Sequence, residues 1–579
     1  MKNVFRIFSV IGFVVASTFF FVMCKTSGKE SDIKISNKPY NIIKSETYNS
    51  AAVVSAHYLA STIGKDIIQK GGNAIDAAIA IQFALAVTYP IAGNIGGGGF
   101  MIYRSKDGLY DALDFRESAP ALAHKDMYLD AEKNVIPQIS LLGHLACGIP
   151  GSVDGMVKAF DKYSKLKDWK ALVQPSIDLA ENGFNVTAGQ AKALNKRRKV
   201  FLEVNDKPIA FVKEDLWKEG DIMLQPELAK TFQLIMEKGR AGFYEGDVAD
   251  YIVNELKSNG GIISHDDLKN YSAIWREPIV SDYRGYEIVS MPPPSSGGIA
   301  LTQLLGSIEG YDLKAMGFRS PEVIHLMVEA ERRVYADRSK HLGDSDFYNV
   351  PIDVLMQDEY NKERMSDFNP MKASNSEDVQ ASNLQESEET THFSIIDDEG
   401  NAVSLTTTIN TGYGSKVVVD GAGFILNNEM DDFSSKPGVP NYFGLVGNEA
   451  NAIEPGKRML SSMTPTIVAK DDKVKIVVGT PGGSTIITSV FQTIVNIIDF
   501  GMNANDATQS CRFHHQWLPD KIQIENDCLP KSTIVSLQKL GHEVISRGSI
   551  GKVETILIND TGTIEAAADF RGDDSVSGF

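Results

Sequence analysis

Residues 390–409 read TTHFSIIDDEGNAVSLTTTI, and this stretch decides the fold. Two apolar runs rich in β-favouring residues flank a polar turn at 397–400, which is the pattern of a β-hairpin. A turn centred there pairs residues whose numbers sum to about 797, so Thr390 faces Thr407 or Thr408, with Cβ atoms about 5 Å apart. The hairpin thus brings two hydroxyl side chains together at its open end. Threonine is also a favoured strand residue, so the spacing alone leaves a structural and a catalytic role open.

A second hairpin, a glycine-rich turn and a helix are predicted downstream. The hairpin's second strand ends at Gly479, the turn TPGGS occupies 480–484, and a helix with one apolar face covers 485–500. Gly482 and Gly483 then lie at a helix N-terminus, where backbone N–H groups lack intrahelical partners and can stabilise an anion. A structural turn that requires positive φ is the alternative interpretation.

Length and charge restrict the class of protein. The chain has 579 residues and a formal net charge of −18, which argues against nucleic acid as a partner. Four cysteines are too few for a disulfide scaffold. The segment 369–389 is rich in Ser, Asn, Gln and Glu, a composition typical of a surface linker. It separates two pieces, and the second piece, from Thr390 onward, is rich in strands.

The N-terminus has the layout of an export signal. A short basic segment and an apolar run fill residues 1–23, and a polar tether is predicted over 24–50. Cys24 follows the apolar run directly and is a candidate for lipid attachment. Ordinary signal cleavage, or retention of the segment, remains open beside lipidation. The protein is therefore expected to be exported, either periplasmic or anchored by lipid, if its source is bacterial.

Two helix N-termini are predicted from capping residues. Asn73 precedes a helix that is apolar almost all round, so this helix should be buried in a core. Ser320 and Pro321 form an N-cap and first-residue pair for another helix.

No metal or other cofactor is expected. His514 and His515 lie near Cys511, but adjacent strand residues point to opposite faces and do not readily share one ion. The glycine run at 96–99 lacks the Lys-Ser/Thr of a phosphate loop and is interpreted as a tight core passage.

Seven motifs in order resemble the γ-glutamyltranspeptidase (glutathione hydrolase) family. The resemblance extends from about Ala51 to the C-terminus. The motifs are DFRE at 114–117, MPPPSSGG at 291–298, YADR at 335–338, TTHFS at 390–394, NNEMDDF at 427–433, SSMTPT at 461–466 and PGGS at 481–484.

The resemblance implies an α/β (α+β) fold, the four-layer αββα sandwich of the N-terminal nucleophile hydrolases. It implies a precursor that cuts itself between Glu389 and Thr390. Residues 51–389 would become a large subunit and 390–579 a small subunit that begins with the nucleophile. The two subunits would remain associated as a heterodimer.

The resemblance also assigns roles to residues. Thr390 would be the nucleophile, and its own freed α-amine, with an ordinary pKa of about 7.7–8.0, the base. Thr408 would orient it, and Gly482 and Gly483 would donate to the oxyanion. Arg116 suits the substrate α-carboxylate, because guanidinium binds carboxylates bidentately. The remaining substrate-binding residues are Ser461 and Ser462, which would assist at the same carboxylate, and Asn410, Glu429 and Asp432, which suit the α-ammonium.

The implied substrates are glutathione and other γ-glutamyl compounds, with water, amino acids or dipeptides as acceptors. Two alternatives remain open at this point. One is a cephalosporin or glutaryl amide acylase of the same superfamily, whose substrate lacks the α-amine. The other is an uncleaved, non-catalytic surface lipoprotein.

Overall fold

The structure is a computed structural model that describes residues 40–379, 390–436 and 449–579. The predicted signal 1–23, Cys24 and Glu389 lie outside these residues. Thr390 is the first described residue after the gap at 380–389.

The predicted hairpin forms, with its register one residue from the estimate. Thr391 pairs with Thr407 and Ile396 with Ala402, so paired numbers sum to 798. The turn at 397–400 is held by Asp397, whose Oδ1 accepts from the N–H groups of Glu399 and Asn401. Extending this register by one residue places Thr390 opposite Thr408, one of the two predicted partners.

Strands in the described residues are the following, in chain order: β1 (Ser45–Tyr48), β2 (Ala52–Ser55), β3 (Gly98–Arg104), β4 (Tyr110–Asp114), β5 (Phe184–Asn185), β6 (Ile222–Met223), β7 (Ile274–Arg276), β8 (Ile279–Tyr283), β9 (Tyr286–Ser290), β10 (Thr391–Ile396), β11 (Ala402–Thr408), β12 (Thr466–Lys470), β13 (Lys473–Gly479), β14 (Phe513–His514), β15 (Ile522–Glu525), β16 (Val544–Arg547), β17 (Glu554–Ile558), β18 (Ile564–Ala568) and β19 (Ser575–Gly578).

The α-helices of the same residues are α1 (Tyr58–Gln69), α2 (Ala74–Thr88), α3 (Ser152–Tyr163), α4 (Trp169–Asn182), α5 (Ala188–Val204), α6 (Pro226–Lys238), α7 (Ala241–Tyr244), α8 (Asp247–Ser258), α9 (His265–Asn270), α10 (Gly297–Ile308), α11 (Leu313–Met316), α12 (Pro321–His341), α13 (Ile352–Leu355), α14 (Asp358–Arg364), α15 (Thr485–Ile498), α16 (Ala504–Gln509) and α17 (Lys531–Leu540).

Two antiparallel seven-stranded sheets form the centre of the molecule. The first has the order β19-β2-β10-β11-β3-β4-β7, and the second has the order β1-β18-β17-β13-β12-β9-β8. Polar contacts join their facing sides, since Ser404 Oγ of β11 donates to the carbonyl of Val478 and Ser394 Oγ of β10 donates to that of Glu554. The sheets are therefore stacked face to face.

Alternation along the strands of the first sheet assigns its two faces to two cores. Val53 and Met101 belong to a core shared with α1, α2, α4 and α6, whereas Val54 and Phe100 belong to a core shared with the second sheet and with α10, α12 and α15. Helices thus cover both outer faces. The predicted four-layer αββα architecture is confirmed.

Both predicted helix starts are confirmed. Asn73 forms a capping box with Asp76, and every residue of α2 is buried. Ser320 caps α12, with Pro321 as its first residue. The glycine run is a tight core passage as predicted, because a Cβ on Gly97 would come within 2.1 Å of the Thr408 carbonyl oxygen.

The two halves of the chain are interleaved within the sheets. β10 and β11, which follow residue 389, lie between β2 and β3, which precede it. β12 likewise pairs with β9 in the second sheet. Neither half could bury its strands without the other, so the sandwich is one fold built from both segments.

Two features differ from simple sequence expectations, and a third, the disulfide, was not predicted. Ser45–Tyr48, within the predicted tether, forms an edge strand on β18. Residues 369–379 are mostly exposed, as predicted, but they do not form a free linker, because Ser376 and Val379 are buried and Trp517 Nε1 donates to the carbonyls of both. Cys511 and Cys528 form a disulfide, whereas Cys147 is a buried free thiol. Contacts between distant segments determine all three features, and the local composition does not indicate those contacts.

Within the described ranges, no helix has both the length and the apolar character needed to cross a membrane.

Candidate active site

Two hydrogen bonds, one to its side chain and one to its carbonyl, hold Thr408 at the end of β11. Its Oγ1 accepts a 2.7 Å hydrogen bond from the N–H of Asn410, and its carbonyl accepts from Asn94 Nδ2 at 2.9 Å. Asn410 adopts a left-handed conformation (φ 70°), which asparagine tolerates better than most residues. Thr390 and Thr408 are both buried. The end of β11 therefore holds a preorganised hydroxyl, and the hairpin register extended by one residue places Thr390 opposite it.

The glycine turn follows β13 and begins a helix, as predicted. Gly482 and Gly483 have positive φ (138° and 58°). Their carbonyls accept from the N–H groups of Thr485 and Ile486 in the first turn of α15. At the start of a helix the carbonyl groups accept intrahelical hydrogen bonds, whereas the first N–H groups have no intrahelical acceptor. These N–H groups give the turn a partial positive charge that favours an anion.

A close contact places this turn beside the threonine strand. His392, two residues after Thr390, lies against Gly479, three residues before Gly482. A Cβ at Gly479 would come within 2.3 Å of the imidazole Cε1. His392 also contacts Thr406 Oγ1 at 2.9 Å through Nδ1. Burial lowers the pKa of His392 to about 3, so the ring is neutral and acts in packing.

Arg116 lies two residues after the end of β4, at the centre of a buried ionic cluster. Its Nη1 is 2.8 Å from Glu429 Oε2, and its Nη2 donates to Asp432 Oδ2. Glu117 Oε2 lies 3.7 Å from Nη1. The guanidinium also contacts the carbonyl of Met459, which precedes the predicted serine pair. One cation therefore meets three carboxyl groups, of which Glu117 and Glu429 are fully buried and Asp432 is 19% exposed.

Burial dominates the titration of this cluster. It raises the pKa values of Glu429 and Asp432, and Arg116 only partly opposes the rise. It raises the pKa of Glu117 to about 8 for the same reason. Burial alone would lower the pKa of Arg116, but Glu429 and Asp432 outweigh it, so the guanidinium stays charged. The excess of acid over base makes the cluster receptive to an additional cation.

Asn410 connects the cluster to the threonine hairpin. Its Nδ2 donates to the carbonyl of Asn428, the residue before Glu429, at 2.9 Å. The N–H of Asn428 in turn donates to the carbonyl of Ile409. The segments 408–410 and 427–429 therefore lie side by side, and the predicted ammonium-binding groups adjoin the predicted nucleophile's partner.

The serine pair adjoins Arg116 through the backbone. Arg116 Nη2 contacts the carbonyl of Leu460, directly before Ser461. The main chain of Ser461 is hydrogen-bonded to the MPPPSSGG motif. Its N–H donates to the carbonyl of Pro294, and its carbonyl accepts from the N–H of Ser296. Ser462 Oγ accepts from Arg338 Nη2 at 2.8 Å. Direct contacts thus connect the 408–410 segment, the Arg116 cluster and the serine pair, whereas Gly482 and Gly483 are linked to the threonine hairpin through Gly479 and His392.

Three further residues of this region were not predicted as site residues. Glu117 belongs to the quoted DFRE motif, and both of its oxygens are buried without a hydrogen-bond partner among the described residues. Tyr335 and Arg338 belong to the YADR motif on α12. The sequence indicates their importance only in that all three belong to motifs of the family resemblance. Their contact partners lie in distant segments of the chain.

The histidines near Cys511 are engaged separately. His514 Nδ1 contacts Thr488 Oγ1 at 2.8 Å, and His515 Nε2 contacts Asp520 Oδ1 at 3.2 Å. Another cluster has potential metal-ligand atoms in His325 and Glu329 of α12 and in His542, which follows α17. Its two imidazoles contact each other at 2.7 Å, and Arg332 and Arg333 bind Glu329, so hydrogen bonds and ion pairs account for it.

Comparisons with known proteins agree with this geometry. The family model described as Gamma-glutamyltranspeptidase matches residues 60–579. The chain is 46% identical over 532 residues to the glutathione hydrolase proenzyme of Escherichia coli (strain K12), covering 91% of each chain.

Two solved structures are also similar. The cephalosporin acylase of Bacillus halodurans superposes with a TM-score of 0.81 at 26% identity, covering 94% of this chain and 99% of that one. A γ-glutamyltranspeptidase chain from Helicobacter pylori is 46% identical with a TM-score of 0.55, covering 56% of this chain and 94% of that one. The fold is shared with both, and the sequence is much nearer to the second. The chain belongs to the γ-glutamyltranspeptidase family.

Proposed function

We propose that the protein is a self-processing γ-glutamyltransferase and glutathione hydrolase. The observation that carries this proposal is the buried cluster of Arg116, Glu429 and Asp432, joined through Asn410 to the hairpin of Thr390 and Thr408. A buried arginine with an excess of carboxylates is complementary to a group that carries both a carboxylate and an ammonium. The glutamyl α-carbon carries this pair of charges.

Maturation begins with attack of Thr390 Oγ1 on the carbonyl carbon of Glu389. The C–N bond of that peptide breaks, an ester forms at Oγ1, and the α-amine of Thr390 is freed with the hydroxyl proton. Water then hydrolyses the ester and restores the hydroxyl. The two chains, 51–389 and 390–579, remain associated as a heterodimer because both sheets contain strands from each.

In catalysis the free amine of Thr390 takes the proton of its own hydroxyl, a recognised way to activate threonine. Oγ1 attacks the γ-carbonyl of the substrate, and the N–H groups of Gly482 and Gly483 stabilise the oxyanion. The leaving amine departs with a proton, and a γ-glutamyl ester remains. Water releases glutamate from this ester, or the amine of an amino acid or dipeptide forms a new γ-glutamyl amide. Thr408 Oγ1 orients the nucleophile.

Substrate recognition follows from the charges of the cluster. The substrate carboxylate takes the fork of Arg116 and hydrogen bonds from Ser461 and Ser462. The ammonium takes Glu429, Asp432 and the side chain of Asn410, and it supplies the positive charge that these buried carboxylates require. Glutathione and other γ-glutamyl amides carry both groups.

An acylase of the same superfamily is the second candidate, since the acylase named above shares the fold. Its substrates lack the ammonium, so Glu429 and Asp432 would then lack the additional cation that the glutamyl ammonium supplies. The lower identity to that acylase also favours the glutamyl substrate. An uncleaved surface lipoprotein is a third candidate, but it gives no reason for a buried cluster beside a threonine hairpin.

Export is part of the proposal. It rests on the predicted signal at 1–23, with lipid attachment at Cys24 or simple cleavage as the two routes. The Cys511–Cys528 disulfide supports export, because disulfides persist mainly in oxidising compartments.

Denaturing electrophoresis, with N-terminal sequencing of the smaller band, tests the proposal. A fragment that begins Thr-Thr-His-Phe-Ser, together with hydrolysis of a γ-glutamyl amide, is expected. Thr390→Ala should give one uncut, inactive chain, and Thr390→Ser should still mature. A wild-type chain that stays uncut after prolonged incubation would contradict the mechanism, and cleavage with activity only on glutaryl amides would favour the acylase.

A further inference from the structure

One turn of α12 carries two side chains that reach different parts of the site. Tyr335 and Arg338 are three residues apart, so they lie on the same face of the helix. Both are almost fully buried, at 2% and 3% exposure. Their partners, Ser484 and Ser462, lie in the segment after Thr390, so these contacts join the two halves of the chain.

Tyr335 contacts the residue that begins the oxyanion helix. Its hydroxyl donates to the carbonyl of Ser484, the N-cap of α15 and the residue after Gly483. Ser484 is also held through its hydroxyl, which donates to Gln516 Oε1 at 2.8 Å. The ring of Tyr335 packs edge-on against His514, with centroids 5.6 Å apart. Ser484 is thus held at both its carbonyl and its side chain.

Arg338 contacts the serine pair directly and through a neighbour. Its Nη2 donates to Ser462 Oγ at 2.8 Å and its Nε to Ser296 Oγ at 2.9 Å. Ser296 Oγ in turn donates to the carbonyl of Ser461 at 2.7 Å. The charge also reaches the cluster, since burial raises the pKa of Asp432 and Arg338 is among the cations that oppose this rise.

We propose that Tyr335 and Arg338 are positioning residues for the reaction. Tyr335 sets the oxyanion turn through Ser484, and Arg338 sets the carboxylate-binding serines through Ser462 and Ser296. The inference rests on the proposed function, because it gives these serines and glycines the roles assigned above.

The two residues should have different kinetic signatures. The oxyanion forms only in the transition state, so loss of the Tyr335 hydroxyl lowers kcat and leaves KM nearly unchanged. The substrate carboxylate is bound in the ground state as well, so loss of the Arg338 fork raises KM. Substitution of a residue that only supports the fold would change both kcat and KM, or neither, and would do so equally for every substrate.

The test uses Tyr335→Phe, which keeps the ring against His514, and Arg338→Lys, which keeps the charge. We expect kcat to fall about tenfold for Tyr335→Phe and KM to rise about tenfold for Arg338→Lys. Each change corresponds to the loss of one buried or charge-assisted hydrogen bond. An analogue that lacks the α-carboxylate should show no KM change with Arg338→Lys. Equal KM changes for both substrates would overturn the role of Arg338.

Matched controls come from α12 itself and from the hydrophobic core that contains Tyr335. Arg333→Lys removes a buried arginine of α12 that binds Glu329 and Asp367. Tyr283→Phe removes a buried hydroxyl that donates to Asp499. If these controls reproduce the kinetic changes, the proposal is wrong. If the wild-type protein cleaves no γ-glutamyl amide, the proposed function fails instead.

Maturation gives a second readout for Tyr335. Self-cleavage also forms an oxyanion, so Tyr335→Phe should slow it. A variant that stays uncut but melts at the same temperature as uncut Thr390→Ala would support the proposal. An uncut variant with a clearly lower melting temperature would show a purely structural role and overturn it.

Discussion

The imidazole of His392 lies so close to Gly479 that a Cβ at position 479 would come within 2.3 Å of its Cε1. This contact joins β10, which follows Thr390, to β13, which leads into the turn of Gly482 and Gly483, the proposed oxyanion site. We predict that Gly479→Ala lowers stability by about 1–3 kcal/mol, the usual cost of overpacking, and reduces kcat because the two strands separate. Thermal unfolding and initial rates on a γ-glutamyl amide measure both effects.

Gly548→Ala is the control for this change. Position 548 is exposed, and a Cβ there meets no atom within 4 Å among the described residues. Its melting temperature and kcat should equal those of the wild type. A Gly479→Ala protein with wild-type kcat would show that the spacing of these strands does not govern the oxyanion turn.

The hydroxyl of Thr408 gives a second prediction. Thr408→Val keeps the shape of the side chain but removes the acceptor of the Asn410 N–H, which leaves a buried donor unsatisfied at a cost of about 1–3 kcal/mol. Maturation and kcat should both slow, whereas Thr408→Ser should retain them. A time course of band conversion on a denaturing gel measures maturation.

Thr407→Val controls for loss of a neighbouring buried hydroxyl. Thr407 Oγ1 donates to the Gly98 carbonyl and accepts from Asn94 and Gln82, so its removal should lower stability. It should not slow the conversion of folded precursor. Equal slowing by both valine variants would contradict a specific role for Thr408.

The sequence predicts the parts of this structure that local chemistry determines. The turn at 397–400 sets the register of its own hairpin, Asn73 and Ser320 cap their helices, and the two glycines follow their strand at a helix start. Each of these depends on residues a few positions apart.

Contacts between distant segments could not be predicted in this way. The direct pairing of Arg116 with Glu429 and Asp432 depends on how β4 and the 427–433 segment meet across the fold. Likewise, three cysteines in the body of the chain allow three pairings, and nothing local selects Cys511 with Cys528. The family resemblance supplied the site residues, whereas Glu117 and Arg338 became visible only with the tertiary structure.

Glu117 gives a prediction about pH and stability. Burial, opposed by Arg116, raises its pKa from 4.5 to about 8. Between these values the folded chain holds a proton that the unfolded chain has released, so stability falls as the pH rises, by at most about 1.4 kcal/mol per pH unit. Glu117→Gln does not titrate, so it should gain stability relative to the wild type between about pH 5 and pH 8. Melting temperatures across this range measure the difference.

Glu46→Gln serves as the comparison, because Glu46 is an exposed residue of β1. Its melting temperature should follow that of the wild type at each pH. A Glu117→Gln curve that also runs parallel to the wild type would mean that Glu117 is ionised throughout the window.

Asp432 gives a prediction about the discrimination between glutamyl and glutaryl substrates. Asp432→Asn removes a charge that pairs with Arg116 and is proposed to bind the substrate ammonium. A charge-assisted hydrogen bond contributes about 1.5–3 kcal/mol, so kcat/KM for a γ-glutamyl amide should fall by about ten- to a hundredfold. The value for the matching glutaryl amide, which has no ammonium, should stay the same.

Asp431→Asn is the matched control, because Asp431 belongs to the same short turn but accepts from Ser140 Oγ at 2.5 Å. Equal losses on both substrates would mean that Asp432 supports the turn rather than the ammonium. A gain on the glutaryl amide alone would show that its charge excludes substrates without an amine, which is how a shared fold can separate the two activities.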